Sequence, residues 1–152
     1  MTKTDTEPFI QATFGVFENL FGVLPGAGAP SLETSPSLTA FDISGVIAIS
    51  GALQGAVVVS FPRALLLKLF AKIDGNLLEE INEEMADMVG EIANMIAGNA
   101  RRILENVEIA ISTPTVLRKS EPPFVWPARE TPVIRIPFAL EEGFFDLSLN
   151  LK

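Results

Sequence analysis

The chain contains no cysteine and no histidine. The first absence excludes disulfides and thiol chemistry; the second excludes the common zinc sites, histidine-based triads and any phosphohistidine role. No apolar run reaches the roughly 18 residues that a bilayer-spanning helix needs. The first ten residues, Met-Thr-Lys-Thr-Asp-Thr-Glu-Pro-Phe-Ile, lack the basic start and apolar segment of a secretory signal, so a soluble cytoplasmic protein is expected. Positive charge is also scarce. Eleven Lys and Arg stand against 19 Asp and Glu, a formal net charge of −8, which argues against nucleic acid or an anionic membrane as partner. Carboxylates, amides, hydroxyls, Lys and Arg are what remain for chemistry.

What is present is enough for one core. At 152 residues, nearly half of them hydrophobic, the chain reads as a single domain over residues 1–152. Its organising stretch is Asp87-Met-Val-Gly-Glu91-Ile-Ala-Asn94-Met-Ile-Ala-Gly98-Asn99-Ala-Arg-Arg102. Ile81, Met85, Met88, Ile92, Met95, Ile96 and Ile103 recur at the three-and-four spacing of a buried helical face. At about 100° per residue, Asp87, Glu91, Asn94 and Gly98 gather on the polar side. Ala86, Gly90, Ala93 and Ala97 form a third stripe, all small, beside them. Each helical glycine costs roughly 1 kcal/mol relative to alanine, which calls for an offsetting reason. Small residues would let another surface approach Glu91 and Asn94; packing explains the alanines and Gly90 equally well, but not Gly98. Asn99 falls within the apolar stripe and reads as a buried amide that satisfies nearby backbone.

The rest of the chain supplies a scaffold. Residues 9–21 read as an amphipathic helix that Pro8 opens and Gly22 ends. Residues 23–37, rich in Gly, Pro and Ser, read as a loop with a short edge strand near Leu32. Strands are expected over 43–50 and 55–61, followed by a short Leu-rich helix closed by Asp74-Gly75. Asn82 is the expected N-cap of the long helix, which runs to about Glu105. A strand over 107–112 ends at Thr113-Pro114, and the proline-rich residues 118–132 around Trp126 read as an ordered, lid-like or edge-covering loop. Residues 132–140 and 145–151 alternate as an antiparallel hairpin, one side buried and one side wet. Pro137 removes one ladder donor from it. The sum is an α/β (α+β) domain: an antiparallel or mixed sheet with two long helices packed on it.

Glu-x-x-Asn on a helix is by itself what many solvated faces show, and Arg101, Arg102, Arg118 and Lys119 read as solvated surface charge that could also greet a phosphorylated partner. The wider pattern is more specific. Glu91-Ile-Ala-Asn94-Met-Ile-Ala-Gly-Asn-Ala preceded by Asp87 closely resembles the signature of the CheC/CheX-type family of chemotaxis phosphatases. The resemblance extends through the Pro-Phe-Ile helix, Asp42-Ile-Ser-Gly45-Val-Ile, Gly-Ala-Val-Val-Val-Ser-Phe-Pro62, Ser-Thr-Pro114-Thr-Val and the closing hairpin. Some family members carry the motif twice; here it occurs once. The family pattern also has a proline after 22 positions beyond the Asn, where this chain has Leu117, with Pro114 arriving early.

The resemblance implies a protein phosphatase that hydrolyses the aspartyl phosphate of a CheY-like response regulator and so ends a chemotaxis or other two-component signal. It implies catalytic roles for Glu91 and Asn94: the amide to place water, the carboxylate to pair with the receiver's active-site Lys. Asp87 would support the helix, and Gly90 and Gly98 would give clearance to the partner's loops. No metal or cofactor of the chain's own is expected, the Mg²⁺ belonging to the receiver, and a homodimer is implied. The same fold also serves flagellar switch proteins as a non-enzymatic module, so an adaptor that holds a receiver or switch partner is the alternative.

Overall fold

The computed structural model describes residues 6–152; the first five residues, part of the stretch read above for a secretory signal, lie outside it. Helix α1 (Glu7–Phe21) carries Pro8 in its first turn, where a missing N–H costs nothing. It stops at Gly22, whose φ of 67° lets its N–H return to the Glu18 carbonyl at 3.0 Å. Two short strands follow, β1 (Gly26–Ala27) and β2 (Ser31–Glu33), then the long pair β3 (Ile43–Gly51) and β4 (Gly55–Phe61). Helix α2 (Arg63–Asp74) leads to the longest helix, α3 (Glu83–Ile103). Asn82 caps α3 as expected, its Oδ1 accepting from the Met85 N–H at 2.9 Å. Strands β5 (Ile109–Ile111), β6 (Thr115–Arg118), β7 (Val133–Leu140) and β8 (Gly143–Leu151) complete the chain.

The strands form one antiparallel sheet in the order β1–β7–β8–β4–β3–β5, with β2 also pairing β7 and β6 also pairing β3. Each edge is therefore built of two short strands rather than one long one, a form that offers little unpaired backbone to another chain. At one edge the interruption is a bulge. Val46 pairs with Thr115 and Ile49 with Ile111, so residues 47–48 of β3 face residues 112–114. Ser112 fills the gap with its side chain, Oγ accepting from the Ala48 N–H at 2.9 Å. At the other edge, the Pro137 carbonyl accepts from Gly28 at 2.7 Å. Its absent N–H points to that same outer side, where β1 has ended and β2 has not begun.

The helices cover one face. Phe17 of α1 stacks on Phe145 at 4.5 Å, and Phe145 stacks on Phe138 at 5.0 Å with Phe61 5.3 Å away. Such pairs add about 0.5–1.5 kcal/mol each beyond the area they bury. Helix α3 lies on β3 at closest approach. A Cβ on Gly45 would stand 2.9 Å from both the Ala93 Cβ and the Val89 carbonyl oxygen, so glycine sets this spacing.

Three expectations change. The hairpin has no wet side over most of β8: Asp146, Ser148 and Asn150 are buried along with the phenylalanine face. The loop that precedes β7 covers Asn150, and Arg135 of β7 covers Asp146. Trp126, 3% exposed, packs with Val46, Ala56, Val58 and Val133 in a second small core on the sheet's outer face. Asn150 pins that loop, accepting from the Ala128 N–H at 2.8 Å and donating to the Ala128 and Thr131 carbonyls at 3.0 Å each. Second, the buried face of α3 is rotated toward the small stripe. Ala86, Gly90, Ala93 and Ala97 are buried with Met85, Val89, Ile92 and Ile96, whereas Ile103 is 44% exposed. Third, Asn99 is only half-buried, and its Oδ1 accepts from the Arg102 guanidinium instead of from backbone. The close packing of α3 on β3 explains the rotation, because only small side chains fit there.

Candidate functional site

The polar ridge of α3 is open to solvent. Asp87 and Glu91 are exposed, and Asn94 and Gly98 are half-buried. A rise of about 1.5 Å per residue sets Asn94 roughly 4.5 Å along the axis from Glu91, on the same side. Among the described residues, the Asp87, Glu91 and Asn94 side chains make no intramolecular hydrogen bond or ion pair. The structure thus brings Glu91 and Asn94 together and leaves their polar atoms to solvent or to a partner. A cap at each end, Asn82 at the start and the Leu104 N–H returning to the Ala100 carbonyl at the finish, holds the helix that carries them.

Gly90 and Gly98 part ways. A Cβ at Gly90 would lie 3.2 Å from Val116 Cγ2 and 3.6 Å from the Pro114 ring, so the surface that closes on Gly90 is the chain's own. Pro114 stands on the bulge between β5 and β6 and buttresses the helix one residue before Glu91. Sequence reasoning missed this contact, because the bulge shifts register by one residue and no local pattern announces it. At Gly98 nothing lies within 4 Å of a Cβ.

The basic residues are dispersed. Arg118 Nη2 approaches Glu83 Oε1 at 3.9 Å beside the start of α3, and Arg102 meets Asn99; Arg101 and Lys119 are exposed. Among the described residues no group of three or more carboxylates could hold a metal ion. Among the described residues no helix is long and apolar enough to cross a membrane. The main ionic network lies on the opposite, outer face of the sheet. There Arg135 donates to Asp146 Oδ2 at 2.6 Å, to Glu33 Oε1 at 2.8 Å and to the Thr39 carbonyl at 2.9 Å. Burial pushes the Asp146 carboxyl up from its ordinary value despite the pull of Arg135. Arg135 itself is raised, since its two carboxylates outweigh its own burial.

Chemically, an exposed carboxylate next to a half-buried amide without an internal partner can form one ion pair and, alongside it, donate and accept one hydrogen bond each.

Comparison with known proteins identifies the family and the fold. The family model described as chemotaxis phosphatase CheX matches residues 43–139, a span that holds the ridge, the bulge and both long strands of the sheet centre. The chain is 26% identical over 151 residues to the CheY-P phosphatase CheX of Thermotoga maritima, covering 94% of this chain and 92% of that one. Its fold is similar to that of a CheC-like superfamily protein from Shewanella sp. PV-4, with a TM-score of 0.88 and 26% identity over 100% of this chain and 99% of the other. It is equally similar to a chemotaxis protein CheX from Desulfovibrio desulfuricans, with a TM-score of 0.86 and 28% identity over 98% and 99% of the two chains.

Proposed function

We propose, from the premise that this chain belongs to the chemotaxis phosphatase CheX family, that it hydrolyses the aspartyl phosphate of a CheY-like response regulator. The observation that carries the proposal is the pair Glu91 and Asn94: one turn apart, on an exposed ridge, without intramolecular partners among the described residues. The similar Thermotoga protein is named for activity on CheY-P, which supports the choice of substrate.

The receiver brings the phosphoryl group and a Mg²⁺. What it lacks is a group that holds water in line with the scissile phosphorus–oxygen bond. A loose phosphoryl-transfer transition state rewards positioning more than a strong base. The Asn94 carboxamide accepts a hydrogen bond from the water through Oδ1 and can donate through Nδ2 to a phosphoryl oxygen, so it orients the nucleophile from one rigid turn. The water oxygen bonds to phosphorus as the bond from phosphorus to the receiver aspartate breaks; the aspartate leaves as carboxylate, and both water protons leave with the inorganic phosphate. Glu91 pairs with the receiver's active-site Lys and fixes the register of the complex. Asp87, further toward the helix start, supports the acidic end of the ridge. The cytoplasm is where such a receiver is met. The proposal includes a homodimer joined at a sheet edge, where β2 presents Leu32, 71% exposed; sedimentation of the wild type and of Leu32→Glu tests it, the variant being expected as a monomer.

The test is the lifetime of a phosphorylated CheY-like receiver in Mg²⁺, with and without the protein. A shortened lifetime that returns to the basal value with Asn94→Ala is expected. An unchanged or lengthened lifetime in a complex that still forms would make the protein an adaptor.

A further inference from the structure

The proline-rich loop does not close flat on the outer face of the sheet. Between itself, residues 38–44 and β6 it leaves a cavity of ≈ 180 Å³. This cavity is not part of the ridge on α3: Val116 of β6 faces the helix, whereas Leu117, next in the strand, faces the cavity. Its walls are preformed. The Leu38 N–H donates to the Phe124 carbonyl at 2.8 Å and the Lys119 N–H to the Asp42 carbonyl at 3.0 Å, while Pro122 and Pro123 fix φ along the rim.

Leu38, Leu117 and Phe124 give the cavity an apolar wall. Ser44, 1% exposed, adds a hydroxyl. Its Oγ lies 3.0 Å from Ser60 Oγ, which also accepts from the Phe41 N–H at 2.8 Å. Two hydroxyls hold two protons and the bond between them uses one, so Ser60 can donate to Ser44 and leave the Ser44 proton for a ligand. At the rim stand two opposite charges, Lys119 and Glu121, both exposed. Among the described residues they pair neither with each other nor with any other ion. Glu121 is held at the rim by the Arg118 N–H, which donates to its Oε1 at 3.0 Å, and the Arg118 guanidinium turns to Glu83 on the helix side.

We propose that this cavity binds a free amino acid with a branched aliphatic side chain, of about the size of leucine. The volume is below the roughly 300 Å³ at which drug-sized ligands begin, so the occupant is small. A simple anion would meet Lys119 but be repelled by Glu121, and a simple amine the reverse; a zwitterion satisfies both. Its ammonium faces Glu121, its carboxylate takes the Lys119 ammonium and the Ser44 hydroxyl proton, and its side chain lies against Leu38, Leu117 and Phe124. The proposal is independent of the phosphatase reading.

The test is a titration of the ¹⁵N-labelled protein, followed by amide shifts, with three probes of one skeleton: L-leucine, 4-methylpentanoate and isopentylamine. L-leucine is expected to bind in about the millimolar range, as a small contact set allows, and to shift the amides of Ser44, Lys119 and Phe124. The acid and the amine should bind about fivefold more weakly or worse, each leaving one rim charge unmatched and facing a like charge. Lys119→Met, Glu121→Gln and Ser44→Ala should each weaken leucine about two- to fivefold, the range of exposed ion pairs and single neutral hydrogen bonds. The charge variants also have a readout that a merely structural role would not move. Glu121→Gln should bind 4-methylpentanoate more tightly than wild type does, and Lys119→Met should do the same for isopentylamine. Absence of shifts with L-leucine, shifts confined to another part of the protein, or equal binding of all three probes to the wild type would overturn the proposal.

Discussion

Asn94 and Asn99 carry the same amide five positions apart on one helix, and their surroundings divide them. The Asn99 oxygen already accepts from Arg102, whereas the Asn94 amide makes no intramolecular bond among the described residues. Asn94→Asp keeps the size and one acceptor but removes the donor and adds a charge that repels the phosphoryl oxygens. Turnover of the phosphorylated receiver should drop about 100-fold or more, the scale seen when a transition-state donor is lost, with unchanged thermal unfolding. Asn99→Ala should leave turnover near wild type. Glu91→Gln is expected to act differently from both, weakening receiver affinity together with turnover; an unaltered complex in a binding titration would remove its docking role.

At the scale of elements, the spacing between α3 and the sheet is fixed by glycine on β3 and by small residues on the helix. Gly45→Ala forces a methyl group against the Val89 carbonyl and Ala93, where backbone has to move. A loss of about 1–3 kcal/mol in chemical denaturation is expected, with a milder loss for Gly90→Ala, whose nearest neighbour is a partly buried valine side chain. The hairpin carries two carboxylates of opposite pH behaviour. The folded Asp146 holds its proton above the ordinary value of 3.8 because of burial, so the unfolded chain ionises first. Its contribution to stability is present below that value and is lost as pH rises through the folded one. Glu142 is lowered from 4.5 by its hydrogen bond to Lys72, at 2.9 Å, so its contribution is present above 4.5 and lost as pH falls through the folded value. Denaturation across the acid range should therefore show Asp146→Asn gaining relative to wild type as pH rises and Glu142→Gln losing.

For the whole molecule, the sheet separates the face that carries the proposed site from a face fastened by a loop and an ionic network. The helices and the Glu91–Asn94 ridge lie on one side; Trp126, Asn150 and the Arg135 network fasten the long loop to the other. Trp126 is the single tryptophan of the chain, so its emission reports the outer core alone. Trp126→Phe should lower stability moderately, and Asn150→Ala by more, since it leaves the Ala128 N–H and two carbonyls without their partner. Below the unfolding midpoint both variants should dephosphorylate the receiver at the wild-type rate. A selective loss of turnover in a folded Asn150→Ala protein would mean that the outer layer also shapes the ridge.

The sequence by itself determined the helix starts and stops, the two central strands and the closing hairpin, because these depend on local chemistry: Asn82 as cap, Gly22 and Gly75 in left-handed conformation, and alternation along 145–151. It also determined which residues share the polar ridge, since helical periodicity puts Glu91 and Asn94 on one side whatever packs behind them. Tertiary structure decided the rest. The small stripe turned inward because β3 offers Gly45 to it, which tipped Ile103 into solvent and left Asn99 half out. The polar side of β8 went dry because a loop some 20 residues away in the chain folds over Asn150 and Arg135 folds over Asp146, non-local events that alternation cannot encode. Helical spacing already set Gly98 on the polar side and Gly90 in the small stripe; the structure supplied their neighbours, Pro114 and Val116 beside Gly90 and open space beside Gly98.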